Sequence, residues 1–245
     1  MRLRREKIEI NYKETQHFFQ KRAQKYNMEN PYSVTMYQDN NPELVKERNK
    51  VEVSRLRPLL HLTAESRVLD VACGIGRWAD AILEDIDEYC GVDFSKELIE
   101  IANKRNNRNN FAFYEGSISE IDKVLLANGK GKYNTVLMVG IVMYLNDNDL
   151  FSTLNAIEKV CEEHTVLCVR EPIGISERLT LKDFYSDELQ DNYNAIYRTR
   201  EEFKEVFEAT LFKRGFSITK EGFVFNEPSL NNRKETSQYY YIIER

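Results

Sequence analysis

The residue types and spacings best suited to chemistry belong to Asp70, Gly74, Gly76 and Asp93. Asp70 closes the apolar run that begins at Arg67, and Cys73-Gly74-Ile75-Gly76 follows it ahead of a helix-forming stretch, so the spacing predicts a strand, a tight turn and a helix start. Glycines in such a turn permit positive φ and clear side chains from a place where backbone must come close to a ligand. The unpaired N–H groups of the next helix's first turn face the same ligand. Gly74, Gly76 and Ala79 also satisfy the loose G-x-G-x-x-[G/A] spacing of dinucleotide sites, and Asp70 discriminates. A carboxylate at that strand end repels a pyrophosphate and suits a ligand carrying a positive charge and an α-ammonium group. Asp93 ends the next apolar run, Tyr89 to Val92, at the distance where an acid reading ribose hydroxyls is expected.

The elements that must hold these residues alternate between two periods. Strands are predicted at Arg67–Ala72, Tyr89–Asp93, Phe111–Tyr114, Tyr133–Val139 and Thr165–Arg170, with helices near Gly76–Asp85, Lys96–Lys104, Ile118–Ala127 and Asn148–Glu162. This alternation implies an α/β domain with a parallel, doubly wound sheet. Residues 171–198 hold Pro172, Gly174 and many aromatic and charged residues without a clear period, and read as an insertion capping a site. Thr199-Arg-Glu-Glu202 is a capping box that opens a further helix, and two late strands, Phe216–Phe225 and Gln238–Ile243, suit an antiparallel hairpin. The expected division is an N-terminal helical lid segment over 1–65 and a ligand-binding domain over 66–245, its cap insertion at about 171–200.

A chain of 245 residues with a net charge of −5 can form one full domain and argues against a nucleic-acid partner. Its one basic cluster, Arg2, Arg4, Arg5 and Lys7, is short and terminal. Cys73, Cys90, Cys161 and Cys168 form no C-x-x-C pair, so neither a metal site nor a disulfide framework is suggested, and a reducing cytoplasm fits. No apolar run approaches the ~18 residues of a membrane span.

Asp70-Val-Ala-Cys73-Gly74-Ile-Gly76 together with Asp93 resembles the motifs of the class I methyltransferases that use S-adenosylmethionine, with motif detail over 67–145 and architecture over 66–245. The resemblance implies a seven-stranded sheet in the order 3-2-1-4-5-7-6 with its last strand antiparallel. It implies cofactor contacts from Asp70, Ala72, Gly74, Gly76, Asp93, Phe94, Ser117, Ile118 and Val139. Phe94 either flanks adenine or joins the core. Ser117 stands where many relatives have an aspartate for the adenine amino group, and is either an acceptor there or a helix N-cap. Arg22 and Tyr26, in a helix similar to the one that closes over the cofactor in small-molecule relatives, either meet the methionine carboxylate or pack that helix on the body. Gly140 marks a close approach beside the transfer channel.

A sulfonium methyl is already activated, so the enzyme must chiefly align an acceptor and exclude water. Glu171, at the C-terminal edge of the sheet, and Tyr144, past the fourth strand, are the catalytic candidates; the alternative is a surface acid for Glu171 and, for an aromatic in an apolar run such as Tyr144, the more usual place in the core. His17, His61 and His164 are weaker candidates for a base. The acceptor-binding candidates are Tyr32 and Tyr37, in an N-terminal entrance loop, and Tyr197 and Arg198, in the insertion, which also holds Arg178, Lys182 and Tyr193 and suits a phosphate or carboxylate. The expected activity is methyl transfer to O or N of a small polar acceptor, sugar-like or phosphate-bearing. The alternatives are a protein or tRNA acceptor, and a non-catalytic cofactor-binding module.

Overall fold

A computed structural model describes residues 1–245. Strand β1 (Arg2–Arg4) opens the chain and three helices follow: α1 (Tyr12–Gln24), α2 (Ser33–Met36) and α3 (Pro42–Leu56). The side chains of Asn11 and Asn41 accept N–H bonds at the starts of α1 and α3, and Pro42 begins α3 where no N–H is needed. Then come β2 (Arg67–Val71), α4 (Arg77–Ala81), β3 (Glu88–Asp93), α5 (Lys96–Arg105), β4 (Phe111–Glu115), α6 (Ile121–Ala127), β5 (Tyr133–Val139), α7 (Asp147–Lys159) and β6 (Cys161–Gly174). The chain ends with β7 (Leu179–Ser186), β8 (Asp191–Tyr197), α8 (Arg200–Ala209), β9 (Ser217–Phe223) and β10 (Thr236–Glu244).

Seven strands form one sheet in the order β4-β3-β2-β5-β6-β10-β9, the expected 3-2-1-4-5-7-6, with β10 antiparallel to both neighbours. The period-2 alternation of the strands divides their side chains between two cores. Leu69, Val136, Met138, Val169 and Tyr241 enter a large cluster shared with α1, α7 and α8, while Val68, Leu137, Cys168 and Ile242 enter a smaller one shared with the end of α3 and with α4. No helix is long and apolar enough to cross a membrane.

Three elements differ from the sequence expectation, each for a local reason. Helix α4 stops at Ala81 rather than near Asp85, because Arg108 and Asn110 take the carbonyls of Ile82, Glu84 and Ile86 in place of a continuing helix. Strand β6 runs on to Gly174, because β10 keeps pairing with it after β5 has ended at the Val139–Arg170 pair; Pro172 is tolerated beyond that point, where no β5 partner asks for its N–H. The stretch 171–198 is not irregular: β7 and β8 form a hairpin whose register shifts between Leu181 and Phe184, and β1 adds to its edge. The N-terminal segment is therefore tied to the hairpin by a strand before its helices begin.

Candidate active site

The C-terminal ends of the parallel strands open into one cavity, the place where open α/β sheets bind ligands. After β2 the backbone turns through Ala72, Gly74 and Gly76 at φ of +61°, +56° and +75°. A Cβ on Gly74 would lie 2.8 Å from the Thr35 methyl, so the α2 segment rests directly over this turn. Gly76 does not reach the cavity; a Cβ there would meet Asn106 at 2.8 Å and the Phe113 ring, and its role is packing.

Asp70, Ala72, Gly74, Asp93, Phe94 and Val139 all line the cavity. Asp93 is buried, and its two carboxylate oxygens each accept a backbone N–H at 2.9 Å, from Gly74 and from Ser95. It thereby ties the end of β3 to the glycine turn. Asp70 accepts from the Tyr89 hydroxyl through one oxygen, and the other has no protein partner. Burial pushes both carboxyls up, each to about 6; Tyr89 and Arg77 oppose this at Asp70, and the two N–H donors oppose it at Asp93. Two buried carboxylates beside a turn that is bare at Gly74 suit a ligand with a cationic centre and hydroxyls.

The other predicted cofactor residues lie elsewhere. Arg22 is buried and forks onto Asp39 at 2.6 and 2.7 Å while Nε and Nη2 reach the carbonyls of Val34 and Ser33, so it fastens α1 to α2 and does not line the cavity. Tyr26 accepts from Arg105 at 3.3 Å and does not line the cavity; nor does the acceptor candidate Tyr32, which donates to Asp80 at 2.8 Å. Ser117 is exposed and bonded to Ser119 at 2.9 Å; it precedes a single 3-10 turn without capping it, and neither it nor the buried Ile118 lines the cavity.

Of the acceptor-binding and catalytic candidates, Tyr37, Tyr144 and Tyr197 line the cavity, together with Tyr193 from β8 and Phe19 from α1. The Tyr144 hydroxyl bonds that of Tyr37 and lies 2.9 Å from that of Tyr193. Burial pushes Tyr37 up to about 12 and Tyr144 far above the usual phenol range, so these groups act as neutral hydroxyls.

Glu171 and Arg198 are corrected. Glu171 is fully buried and faces away from the cavity, accepting the N–H groups of Ile141, Val142 and Met143 at 2.7, 2.8 and 3.2 Å. Arg198 donates to the carbonyls of Val142 and Leu145 at 3.0 and 2.7 Å and to Asp147 at 2.6 Å. The two hold the 141–147 turn from its amide and carbonyl sides and so aim Tyr144 at the cavity. Arg178, also a candidate, pairs with Asp147 and Glu202. None of the three histidines lines the cavity.

Sequence reasoning missed Arg48, Arg170 and Arg233, which line the cavity from α3, β6 and the β9–β10 connection. Arg48 lies among Lys46, Glu47 and Lys50 on a charged helix, and nothing in that pattern separates it from its surface neighbours.

Residues 68–164 match the family profile of a methyltransferase domain. A curated relative, the 23S rRNA (uracil(1939)-C(5))-methyltransferase RlmD of Haemophilus ducreyi, is 32% identical over 75 residues, which is 29% of this chain; the match spans 17% of that protein's length. Among solved structures, a SAM-dependent methyltransferase of Leishmania major superposes with a TM-score of 0.62 at 16% identity, covering 92% of this chain and 82% of that one. Phosphoethanolamine N-methyltransferase 1 of Haemonchus contortus, in complex with phosphoethanolamine and S-adenosylhomocysteine, gives 0.65 at 14% identity, over 96% of this chain and 50% of that one. At such identities these likenesses establish the fold.

Proposed function

We propose that this chain, which carries a methyltransferase domain at residues 68–164 on the class I, Rossmann-like fold, transfers the methyl group of S-adenosylmethionine to a small acceptor enclosed in the cavity. The observation that carries the reading is the convergence of Asp70, Gly74 and Asp93 on one cavity with the hydroxyls of Tyr37, Tyr144 and Tyr193. The cavity fits the cofactor: Gly74 offers backbone where a Cβ has no room, Asp70 keeps one oxygen free of protein partners, and the Phe94 ring lines the wall beside Asp93. When bound, the cofactor supplies an activated methyl on a sulfonium. Asp70 would hold its ammonium end and Asp93 its ribose hydroxyls, at the cost of the burial that raises both carboxyls.

The chain's own part in the reaction is placement and exclusion of water. The α2 segment covers the glycine turn, and we read residues 1–65 as the lid and the β7–β8 hairpin as the cap over a domain at 66–245. Around the acceptor the titratable side chains are tyrosines and arginines, while the carboxylates belong to the cofactor side. Such a wall favours an acceptor that needs no protein base, an amine arriving unprotonated or an oxygen already ionised. The four cysteines are buried and unbridged, which supports a reducing compartment.

An RNA acceptor has one observation in its favour, the 75-residue match to an rRNA methyltransferase. The net charge of −5 and the covered cavity favour the small molecule. Calorimetric titration with S-adenosylmethionine, S-adenosylhomocysteine and NAD tests the cofactor; tighter binding of NAD reverses the assignment. Release of S-adenosylhomocysteine on incubation with a small-metabolite fraction, and none with total RNA, is the expected result, and the opposite result makes RNA the acceptor. Cofactor binding without turnover on any fraction leaves a non-catalytic module.

A further inference from the structure

We infer that Arg48 and Arg233 form an oxyanion site in the cavity wall and that the acceptor carries the phosphate or carboxylate that fills it. The identification of the bound anion as part of an acceptor rests on the methyl-transfer reading; the site itself does not. Arg48 is 4% exposed, yet its only bond is from Nε to the Leu230 carbonyl at 2.8 Å, and it belongs to no ion pair. Its terminal nitrogens have no protein acceptor, and its side chain lines the cavity. Burial of a guanidinium without a counter-charge is strongly unfavourable, so a position of this kind calls for an anion from outside the chain.

The acids nearby are already committed. Glu52 is wholly buried and divides its two oxygens between Arg77 and Arg170, leaving Arg170 to repel Arg48 rather than share a carboxylate with it. Glu188 attracts both Arg48 and Arg233 at longer range, but it is exposed, accepts the Gln38 N–H at 2.9 Å and pairs with neither. Arg233 likewise has no ion pair: it donates once, to the Tyr197 hydroxyl at 3.1 Å, with its guanidinium carbon 5.9 and 5.8 Å from the ring centres of Tyr193 and Tyr197. Gln238 and Thr236 line the same wall and add neutral donors. Two uncompensated planar forks that line one cavity together with hydroxyl and amide side chains match the charge and hydrogen-bonding pattern of a phosphate or carboxylate.

The test follows the arginine Nε–H resonances of the full chain, with and without saturating S-adenosylhomocysteine, during titration with inorganic phosphate and separately with acetate at constant chloride. Saturable shifts with a roughly millimolar dissociation constant are expected for at least one anion. Arg48→Met and Arg233→Gln should each weaken that binding by about fivefold or more while S-adenosylhomocysteine affinity stays within about twofold of the parent. Phosphate binding tighter than acetate assigns a phosphate, and the reverse a carboxylate. Shifts that never saturate, or that survive both substitutions, mean an adventitious ion only and overturn the site. Arg233 is half-buried on a loop, so its variant carries the comparison if Arg48→Met does not fold. Should S-adenosylhomocysteine fail to bind the parent, the methyl-transfer reading falls while the titration of the unloaded chain still decides the oxyanion site.

Discussion

Replacing Glu171 with glutamine separates a catalytic base from a buried brace. Burial pushes the Glu171 carboxyl from 4.5 up to about 7, against the pull of the N–H groups of Val142 and Ile141, of Arg170 and of the Met143 N–H. The folded chain therefore holds the proton more tightly than the unfolded chain. The stabilisation that this proton brings is complete below about pH 4.5, shrinks as the pH rises and is gone above about pH 7. At pH 6, one unit below the folded value, about 1.4 kcal/mol of it remains, and at pH 8 almost none. Glu171→Gln cannot titrate, and the similar contributions of Asp70 and Asp93 are common to both proteins and cancel. The stability difference between parent and variant, read from urea unfolding at pH 6 and pH 8, should therefore change by about 1.4 kcal/mol in the parent's favour at the lower pH. Turnover at pH 8 should fall less than about tenfold, since removal of a general base costs about a hundredfold or more. A stability difference that is the same at both pH values, with turnover collapsed, would refute the brace and restore Glu171 as a base.

The same geometry carries four further expectations. Asp93→Ala should weaken S-adenosylhomocysteine binding by about 1.5–3 kcal/mol in calorimetry, and parent-like affinity would move the cofactor elsewhere. Because burial pushes Asp70 and Asp93 up to about 6 and a cationic ligand needs them ionised, S-adenosylmethionine affinity should fall as the pH drops below about 6, by up to about tenfold per unit for each carboxylate; a flat profile from pH 8 to 5 contradicts their placement. Arg198→Ala, which strips Asp147 and two buried carbonyls of their partner, should cost about 3–5 kcal/mol in urea unfolding, far more than a surface arginine would. Gly74→Ala should cost about 1–3 kcal/mol and impair cofactor binding, with Thr35→Ser restoring part of both because it removes the methyl 2.8 Å from the new Cβ; no rescue would mean that α2 does not press on the turn.

The half of the cavity around Asp70 and Asp93 is legible in the sequence because its signal is local. Asp70 and Asp93 each end an apolar run, the run becomes a strand by its period, and parallel pairing of β2 with β3 brings both strand ends to one edge. The half lined by Tyr37, Tyr144, Tyr193 and Tyr197 is assembled from distant segments, and its signals are ambiguous by nature. The hairpin over 179–197 hides because the register shift between Leu181 and Phe184 breaks the alternation by which strands are recognised. Glu171 stands at the right edge of the sheet, but position along a strand does not say which face a side chain takes when the next turn offers it three amides.

Arginine is the hardest case, since composition cannot tell a structural guanidinium from one that awaits a ligand. Pairing in three dimensions can. Arg22 has Asp39, Arg77 and Arg170 share Glu52, and Arg178 and Arg198 share Asp147, so each of these buried charges is answered within the chain. In the sequence Arg198 is a substrate candidate because it stands in an insertion rich in tyrosine and arginine, whereas Arg48 is one charge among Lys46, Glu47 and Lys50 and draws no reading. The counter-charges exchange those roles. Asp147 satisfies Arg198 and removes it from the site, whereas Arg48 and Arg233, buried or half-buried with no carboxylate of their own, are the positions at which an acceptor's anion would complete the electrostatics that the fold leaves open.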